Sequence, residues 1–244
     1  MSDITNKDII QSWANAPQSD AERHGDEGDF ARQHLLNPIL FALLGDASGK
    51  KILDAGCGQG YLCRILAKQG AIVTGVEPAE MWYRYSLERE QNEPLGITYI
   101  QEDLSTFTTH KATFDTVVAN MVFMDIPDYE TAMHNCIAAL KQGGTFIFSI
   151  THPCFEEPAS EWNQKGFVAV HDYLNDYTME SGYAYAFHRP LSSYLNLVIS
   201  EGGVLQNIVE PKLREEIVQQ YGIVHTRNCY VPQFLVIACT KMYV

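Results

Sequence analysis

The sequence predicts an α/β fold: a doubly wound, seven-stranded, mostly parallel sheet with an inserted lid. Three observations predict it. Between residues 50 and 150, short apolar runs alternate with helical patterns, the rhythm of βαβ units. A glycine-rich turn, Asp54-Ala-Gly56-Cys-Gly58-Gln-Gly60, lies between the first such run and the first helical pattern. After the fifth run, residues 152–189 break the rhythm and carry eight aromatic residues: Phe155, Trp162, Phe167, Tyr173, Tyr177, Tyr183, Tyr185 and Phe187.

The elements follow in order. Residues 1–49 read as an N-terminal helical cap, with Leu35, Leu36, Ile39, Leu40 and Leu43 forming an apolar stripe over residues 30–44 that Pro38 divides. The core, 50–151, opens on the run 51–54, a short buried strand. Leu62, Ile65 and Leu66 then fall at helical spacing ahead of Gly70, a residue suited to the left-handed position after a helix. Strands two to four are 72–76, 97–100, and Phe114 with 117–119. Asp128 is placed to cap a helix whose Met133, Ile137 and Leu140 face one way, with Gly143 and Gly144 ending it. The fifth strand is 145–150. In the C-terminal part, 190–244, Leu191, Tyr194, Leu195, Val198 and Ile199 mark a helix stopped by Gly202 and Gly203. The runs 204–209 and 234–239 bring the strands to seven. With 244 residues, one domain holding one large core is expected, and the insertion 152–189 falls at the sheet edge where lids are built.

Composition narrows the function. A net charge of −13 repels phosphate backbones and anionic membranes, and no basic patch interleaved with aromatics offsets it, so no nucleic-acid partner is expected. No apolar run approaches the roughly 20 residues that span a bilayer, and the first residues lack the basic flank and apolar stretch of a secretory signal. A cytoplasmic protein is expected. Six scattered cysteines form no Cys-x-x-Cys pair, which argues against both a disulfide framework and a structural zinc site. No metal is expected.

The glycine turn carries the chemistry. Glycines there let a ligand approach the backbone, and the next helix presents unpaired N–H groups to an anionic group. Glu77 ends the second strand. At these residues the sequence resembles the class I, Rossmann-like methyltransferases that use S-adenosylmethionine, in particular the small-molecule type 11 group that includes ubiquinone and menaquinone biosynthesis enzymes. The resemblance runs through 51–60, Val73-Thr-Gly-Val-Glu-Pro78, Gln101-Glu-Asp-Leu104, Phe114-Asp-Thr-Val-Val118 and Leu140-Lys-Gln-Gly-Gly-Thr-Phe146. Dinucleotide enzymes place the third glycine three positions after the second; here it comes two after, which favours the methyltransferase form.

The resemblance implies roles. Asp54, Gly56, Cys57, Gly58 and Gly60 would wrap the methionine part of the cofactor. Glu77, followed by Pro78 where a small polar residue is frequent, would accept both ribose hydroxyls. Asp103 would accept the adenine amino group, and the Leu104 N–H would serve a ring nitrogen. The Asn120 carbonyl would meet the cofactor's amino group, with Met121 and Val122 lining the cleft near the sulfonium. Arg32, in a segment resembling the helix that precedes this core, would approach the cofactor carboxylate. The product would be S-adenosylhomocysteine.

Methyl transfer from a sulfonium needs mainly positioning, with a general base only where the acceptor must lose a proton early. His152, directly after the fifth strand, is the candidate base. Asp125, His171 and His188 are further acid–base candidates, read here as structural or surface groups. The expected function is methyl transfer to an O, N or C atom of a small-molecule acceptor by a monomer or homodimer. The alternatives are an NAD(P)-dependent oxidoreductase and a non-catalytic S-adenosylmethionine-binding protein.

Overall fold

From residue 51 onward, alternating strands and helices build one seven-stranded sheet in the computed structural model, which describes residues 4–109, 112–156, 162, 164–182, 184–222 and 227–242. Strands β1 (Lys51–Ala55), β2 (Ile72–Val76) and β3 (Thr98–Ile100) step outward to one side; β4 (Phe114–Asn120) returns to the other side of β1. Next to it runs β5 (Leu140–Thr151), and all pairings among these five are parallel. Strands β8 (Gly203–Val209) and β9 (Phe234–Lys241) add antiparallel pairings, giving the order β3-β2-β1-β4-β5-β9-β8. The direction of winding reverses between β1 and β4, which opens a crevice at their carboxyl ends.

Alternation along each strand feeds two cores. Ile52, Val118, Ile147 and Val236 face α3 (Asn37–Leu44) and α4 (Tyr61–Lys68), meeting Leu40, Leu62 and Leu66. Leu53, Val117, Phe146, Phe148 and Ile237 face α6 (Tyr129–Ala139) and α7 (Leu191–Ser200), meeting Met133, Ile137, Tyr194 and Val198. Neighbouring residues thus belong to opposite layers because successive side chains point to opposite faces. The helix α5 (Glu80–Asn92) packs against the first of these cores through Tyr83 and Leu87.

The stripe over 30–44 is divided at Pro38 as expected: a π-helical turn, Arg32–Leu36, runs into α3, and the change of pitch accommodates the proline's missing N–H. Two expectations need correction. The helix after Asp128 ends at Ala139, and Leu140 is already extended (φ −72°, ψ 141°). Gly143 and Gly144 therefore do not stop a helix; they sit in an irregularity of β5, between the pairings Phe114–Leu140 and Thr116–Thr145. The insertion holds a separate two-stranded hairpin, β6 (Tyr177–Ser181) and β7 (Ala184–His188), that the sequence reading lacked. Tyr183 lies outside the described residues.

The N-terminal cap also contains two helices ahead of the expected stripe, α1 (Asn6–Ala14) and α2 (Gln18–His24). A capping box starts α1: the Thr5 hydroxyl accepts from the Asp8 N–H while the Asp8 carboxylate accepts from the Thr5 N–H. Its far end docks on α5, where the Trp82 indole N–H donates to the Trp13 carbonyl at 3.2 Å and the two rings meet edge to face. After α2 the chain is tied to the glycine turn: Gln59 donates to the Gly25 carbonyl at 2.6 Å, and buried Arg64 reaches Gly25, Asp26 and Gln59. Among the described residues no helix is long and apolar enough to cross a membrane. The helix α8 (Glu215–Tyr221) precedes β9.

Candidate ligand cleft at the strand ends

A cavity of about 420 Å³ opens at the carboxyl ends of β1, β2 and β4. The glycine turn forms its floor because three consecutive alternate residues there take left-handed backbones: Gly56 at φ 72°, Gly58 at 55° and Gly60 at 80°. A Cβ on Gly56 would sit 2.7 Å from a Val122 methyl. One on Gly60 would sit 2.4 Å from the Tyr99 hydroxyl, so Gly60 serves packing at the start of α4 and does not line the cavity. The turn is anchored from behind, where the Gly56 and Cys57 N–H groups both donate to the Val76 carbonyl.

Glu77 and Pro78 make one wall. The Glu77 carboxylate accepts the Gly58 N–H at 2.9 Å on one oxygen and the Ala79 N–H at 2.8 Å on the other, so each oxygen keeps a lone pair for a further donor. Burial pushes its pKa up to about 7. Asp103 and Leu104 follow β3 on the same side. Asp54, at the end of β1, is buried, takes the Cys63 thiol at 3.1 Å and has its pKa pushed by burial to about 6. Burial likewise raises the Cys57 thiol to about 11, leaving it unreactive as a nucleophile.

Asn120, Met121 and Val122 make the opposite wall. Met121 is held in the left-handed region at φ 63°, a strained setting for this residue, by two bonds from its N–H to the Ser149 carbonyl and hydroxyl. A hydrogen-bond chain fixes its neighbour: Ser149 donates to Asn120, Asn120 to the Tyr61 hydroxyl, and that hydroxyl to Asn37 in the cap. The end of β4 is thereby locked to β5 and to the layer of α3 and α4.

The structure brings Asp54, Gly56, Cys57, Gly58, Glu77, Pro78, Asp103, Leu104, Asn120, Met121 and Arg32 to this one cavity. Arg32 is engaged by Asp29 at 2.7 Å. His152 is elsewhere: it is buried, with Nε2 3.0 Å from Glu210 and Nδ1 accepting the Cys154 N–H, and it does not line the cavity. The local turn through Pro153 and Cys154 occupies Nδ1, and Glu210 occupies Nε2. His171 is exposed, and His188 is paired with Glu156 at 2.5 Å. No described residue of 152–189 lines the cavity, because α1 and α2 cover it instead.

That cover is what the sequence reading missed. Asn6, Ile9, Ile10 and Trp13 from α1 and His24 from α2 line the cavity. Asn6 spans it, donating to both Asp103 oxygens (3.1 and 3.3 Å) and to Ser105 while accepting the Asp128 N–H at 2.9 Å. The available signal was the Thr5-x-x-Asp8 cap followed by Ile9, Ile10 and Trp13. Asp125 also lines the cavity. No group of three or more metal-ligating side chains occurs among the described residues.

Residues 53–148 match a family described as a methyltransferase domain. A ubiquinone biosynthesis O-methyltransferase of Coxiella burnetii is 31% identical over 152 residues, 61% of this chain and 61% of that protein. The protein of the same description from Klebsiella pneumoniae is 32% identical over 132 residues, 50% of this chain and 53% of its own. The alignments thus span about three fifths or less of these curated relatives. Among solved structures, an S-adenosylmethionine-dependent methyltransferase of Mesorhizobium loti superposes with a TM-score of 0.72 at 24% identity, over 83% of this chain and 96% of that one. Magnesium protoporphyrin IX methyltransferase from Synechocystis, solved with S-adenosylmethionine bound, gives 0.63 at 16% identity over 99% of each chain. These likenesses establish a class I methyltransferase fold.

Proposed function

We propose that this chain, whose residues 53–148 match a methyltransferase domain, is an enzyme that transfers a methyl group from S-adenosylmethionine to an O, N or C atom of a small molecule. One observation carries the reading: Glu77, Asp103 and the left-handed glycine turn, separate in sequence, line a single cavity of about 420 Å³ at the winding reversal of the sheet. The donor and acceptor chemistry fits the group. Glu77 has one lone pair per oxygen left for a diol, and the absence of side chains at Gly56 and Gly58 leaves backbone exposed for close contact.

The bound cofactor supplies an activated methyl group on a sulfonium. In this reading Glu77 holds its ribose hydroxyls, Asp103 its adenine amino group and the Leu104 N–H a ring nitrogen. The Asn120 carbonyl takes the amino group, and Arg32 the carboxylate once it leaves Asp29. The covers α1 and α2 exclude water, so acceptor and methyl are held in attack geometry, an effect that supplies roughly 7–11 kcal/mol in favourable cases. The Coxiella relative's description as an O-methyltransferase supports a small-molecule acceptor. We place the protein in the cytoplasm as a monomer or homodimer, which chromatography with light scattering checks.

Calorimetric titration tests the reading. S-adenosylmethionine and S-adenosylhomocysteine should bind saturably and raise the melting temperature by mass action, whereas NAD and NADP should do neither. Tight nicotinamide binding with none for the sulfur cofactors would refute it. Release of S-adenosylhomocysteine in an acceptor screen separates an enzyme from a protein that only binds the cofactor.

A further inference from the structure

Among the described residues six carboxylates line the cavity, and five of them are engaged. Asp20 is taken by Arg23, Asp29 by Arg32, Asp54 by the Cys63 thiol, Glu77 by two backbone N–H groups, and Asp103 by Asn6 and the Ser105 N–H. The sixth, Asp125, has no side-chain hydrogen bond or ion pair among the described residues. Its backbone is nevertheless tightly held. Asp125 ends the 3₁₀ turn Phe123–Asp125 just beyond the strained Met121, and its N–H donates to the Val122 carbonyl at 2.9 Å. Arg189, 5% exposed, grips that turn from behind, donating to the carbonyls of Phe123 (3.0 Å), Ile126 (2.7 Å) and Pro127 (3.1 Å) with its guanidinium 4.0 Å over the Tyr129 ring. A rigid turn thus presents one unsatisfied, half-buried carboxylate to the cavity, between Met121 and Ile126.

We propose that Asp125 is the general base of the methyl transfer and that the acceptor atom is the oxygen of a weakly acidic hydroxyl, a phenol or enol; this rests on the methyl-donor reading above. The hydroxyl proton passes to the Asp125 carboxylate. The freed oxygen lone pair forms the new O–CH₃ bond as the S–CH₃ bond breaks, its electron pair staying on sulfur and cancelling the sulfonium charge. An unhindered neutral amine attacks through its own lone pair and sheds its proton afterwards, so it would not need this carboxylate. Two nearby charges help the carboxylate. Arg32 and Arg189 both act on Asp125 and favour its ionised form, the form that accepts a proton.

The titration suits the task. Burial pushes the Asp125 pKa to about 7 against the pull of both arginines, which matches a base working near neutrality. The other titratable groups on the elements packed here are committed elsewhere: Asp29 to Arg32, His188 to Glu156, and Asp128 to the first turn of α6. Tyr129 lies under Arg189 with its hydroxyl on Glu130, and Tyr194 is buried behind it.

The test uses the full chain with catechol as the hydroxylic probe and 1,2-dimethoxybenzene and 2-phenylethylamine as controls. With S-adenosylhomocysteine bound, catechol should bind more tightly than either control. With S-adenosylmethionine, its methylation should rise about tenfold per pH unit below 7 and level above. Asp125→Asn should keep S-adenosylhomocysteine affinity within threefold, lose roughly a hundredfold or more in turnover, and lose the pH limb. Asp125→Glu should recover part of the rate. Independently of turnover, the carboxyl ¹³C spectrum of the wild type should show a resonance titrating near 7 that is missing in Asp125→Asn.

An Asp125→Asn protein that methylates catechol with an unchanged pH limb overturns the proposal. So does tighter binding of phenylethylamine than of catechol, or no binding of catechol at all; either leaves the methyl-donor reading standing if S-adenosylhomocysteine still binds. Failure of the wild type to bind S-adenosylhomocysteine overturns both.

Discussion

Glu77→Gln isolates the cost of burying a carboxylate in the cleft wall. Glu77 is 8% exposed, and its pKa rises from 4.5 to about 7, chiefly through burial and in smaller part through the Asp54 charge. Between those values the folded protein binds more protons than the unfolded chain, so this group's contribution to stability is complete below pH 4.5 and is lost as pH rises through 7. At about 1.36 kcal/mol per unit, the loss between pH 5 and pH 8 is about 2.5 kcal/mol. Glutamine cannot ionise, and it presents an NH₂ to either the Gly58 or the Ala79 N–H, which costs about 1–3 kcal/mol at every pH. Urea unfolding of both proteins at pH 5 and pH 8 reads the result. The wild type's advantage over Glu77→Gln should shrink by about 2.5 kcal/mol from the lower to the higher pH. Asp125 and, apart from its coupling to Glu77, Asp54 are also raised by burial, are present in both proteins and cancel in this difference. An advantage that stays constant would refute the buried-carboxylate account.

Gly60→Ala should destabilise the fold by about 2–4 kcal/mol, combining a left-handed backbone with a Cβ driven into the Tyr99 hydroxyl; thermal unfolding would show it. Phe123→Ala should cost about 3–5 kcal/mol by denaturant titration, because it empties a fully buried site against the rings of Phe146 and Phe148. Asn6→Ala cuts the bonds that tie α1 to Asp103, Ser105 and Asp128, so limited proteolysis within residues 6–24 should accelerate several-fold while global unfolding stays within about 1 kcal/mol.

The centre of the sheet was legible because β1, β4 and β9 are buried on both faces and so read as continuous apolar runs. The run 72–76 is a strand in full as read, and the helix before Gly70 ends at Lys68, two positions ahead of it. Leu140 deceived because its apolar side chain continues the spacing of Met133 and Ile137, although its backbone has already turned into β5. Periodicity records which face is apolar, not where the backbone leaves the helix. The hairpin β6–β7 pairs Tyr177 with His188 and Glu180 with Tyr185, a polar and aromatic mixture without the alternation that marks a half-buried strand.

Within the cleft, the residues carried by short motifs at strand ends were readable, since each is placed by the strand that precedes it. The residues of α1 and α2 were not, because a short amphipathic helix shows an apolar face without showing what it covers. The proposed base moves from His152 to Asp125 for a related reason. Both follow a strand end, and only the fold reveals that Glu210 and the Cys154 N–H satisfy the histidine while nothing among the described residues satisfies the aspartate.

In the role proposed for Asp103, its bridge from Asn6 changes what that carboxylate contributes to recognition. With its donor supplied from within the chain, Asp103 gives up one partner for another when an amino group arrives, and such an exchange gains little free energy. A purine lacking that amino group would leave Asn6 where it is, so omission would carry a small penalty. Discrimination among bases would then fall to shape, through the cavity wall that Ile9, Ile10 and Trp13 supply. The cleft should therefore tolerate edge-modified purine analogues and reject bulkier ones, a pattern of selectivity set by the fit of a helix rather than by the charge beneath it.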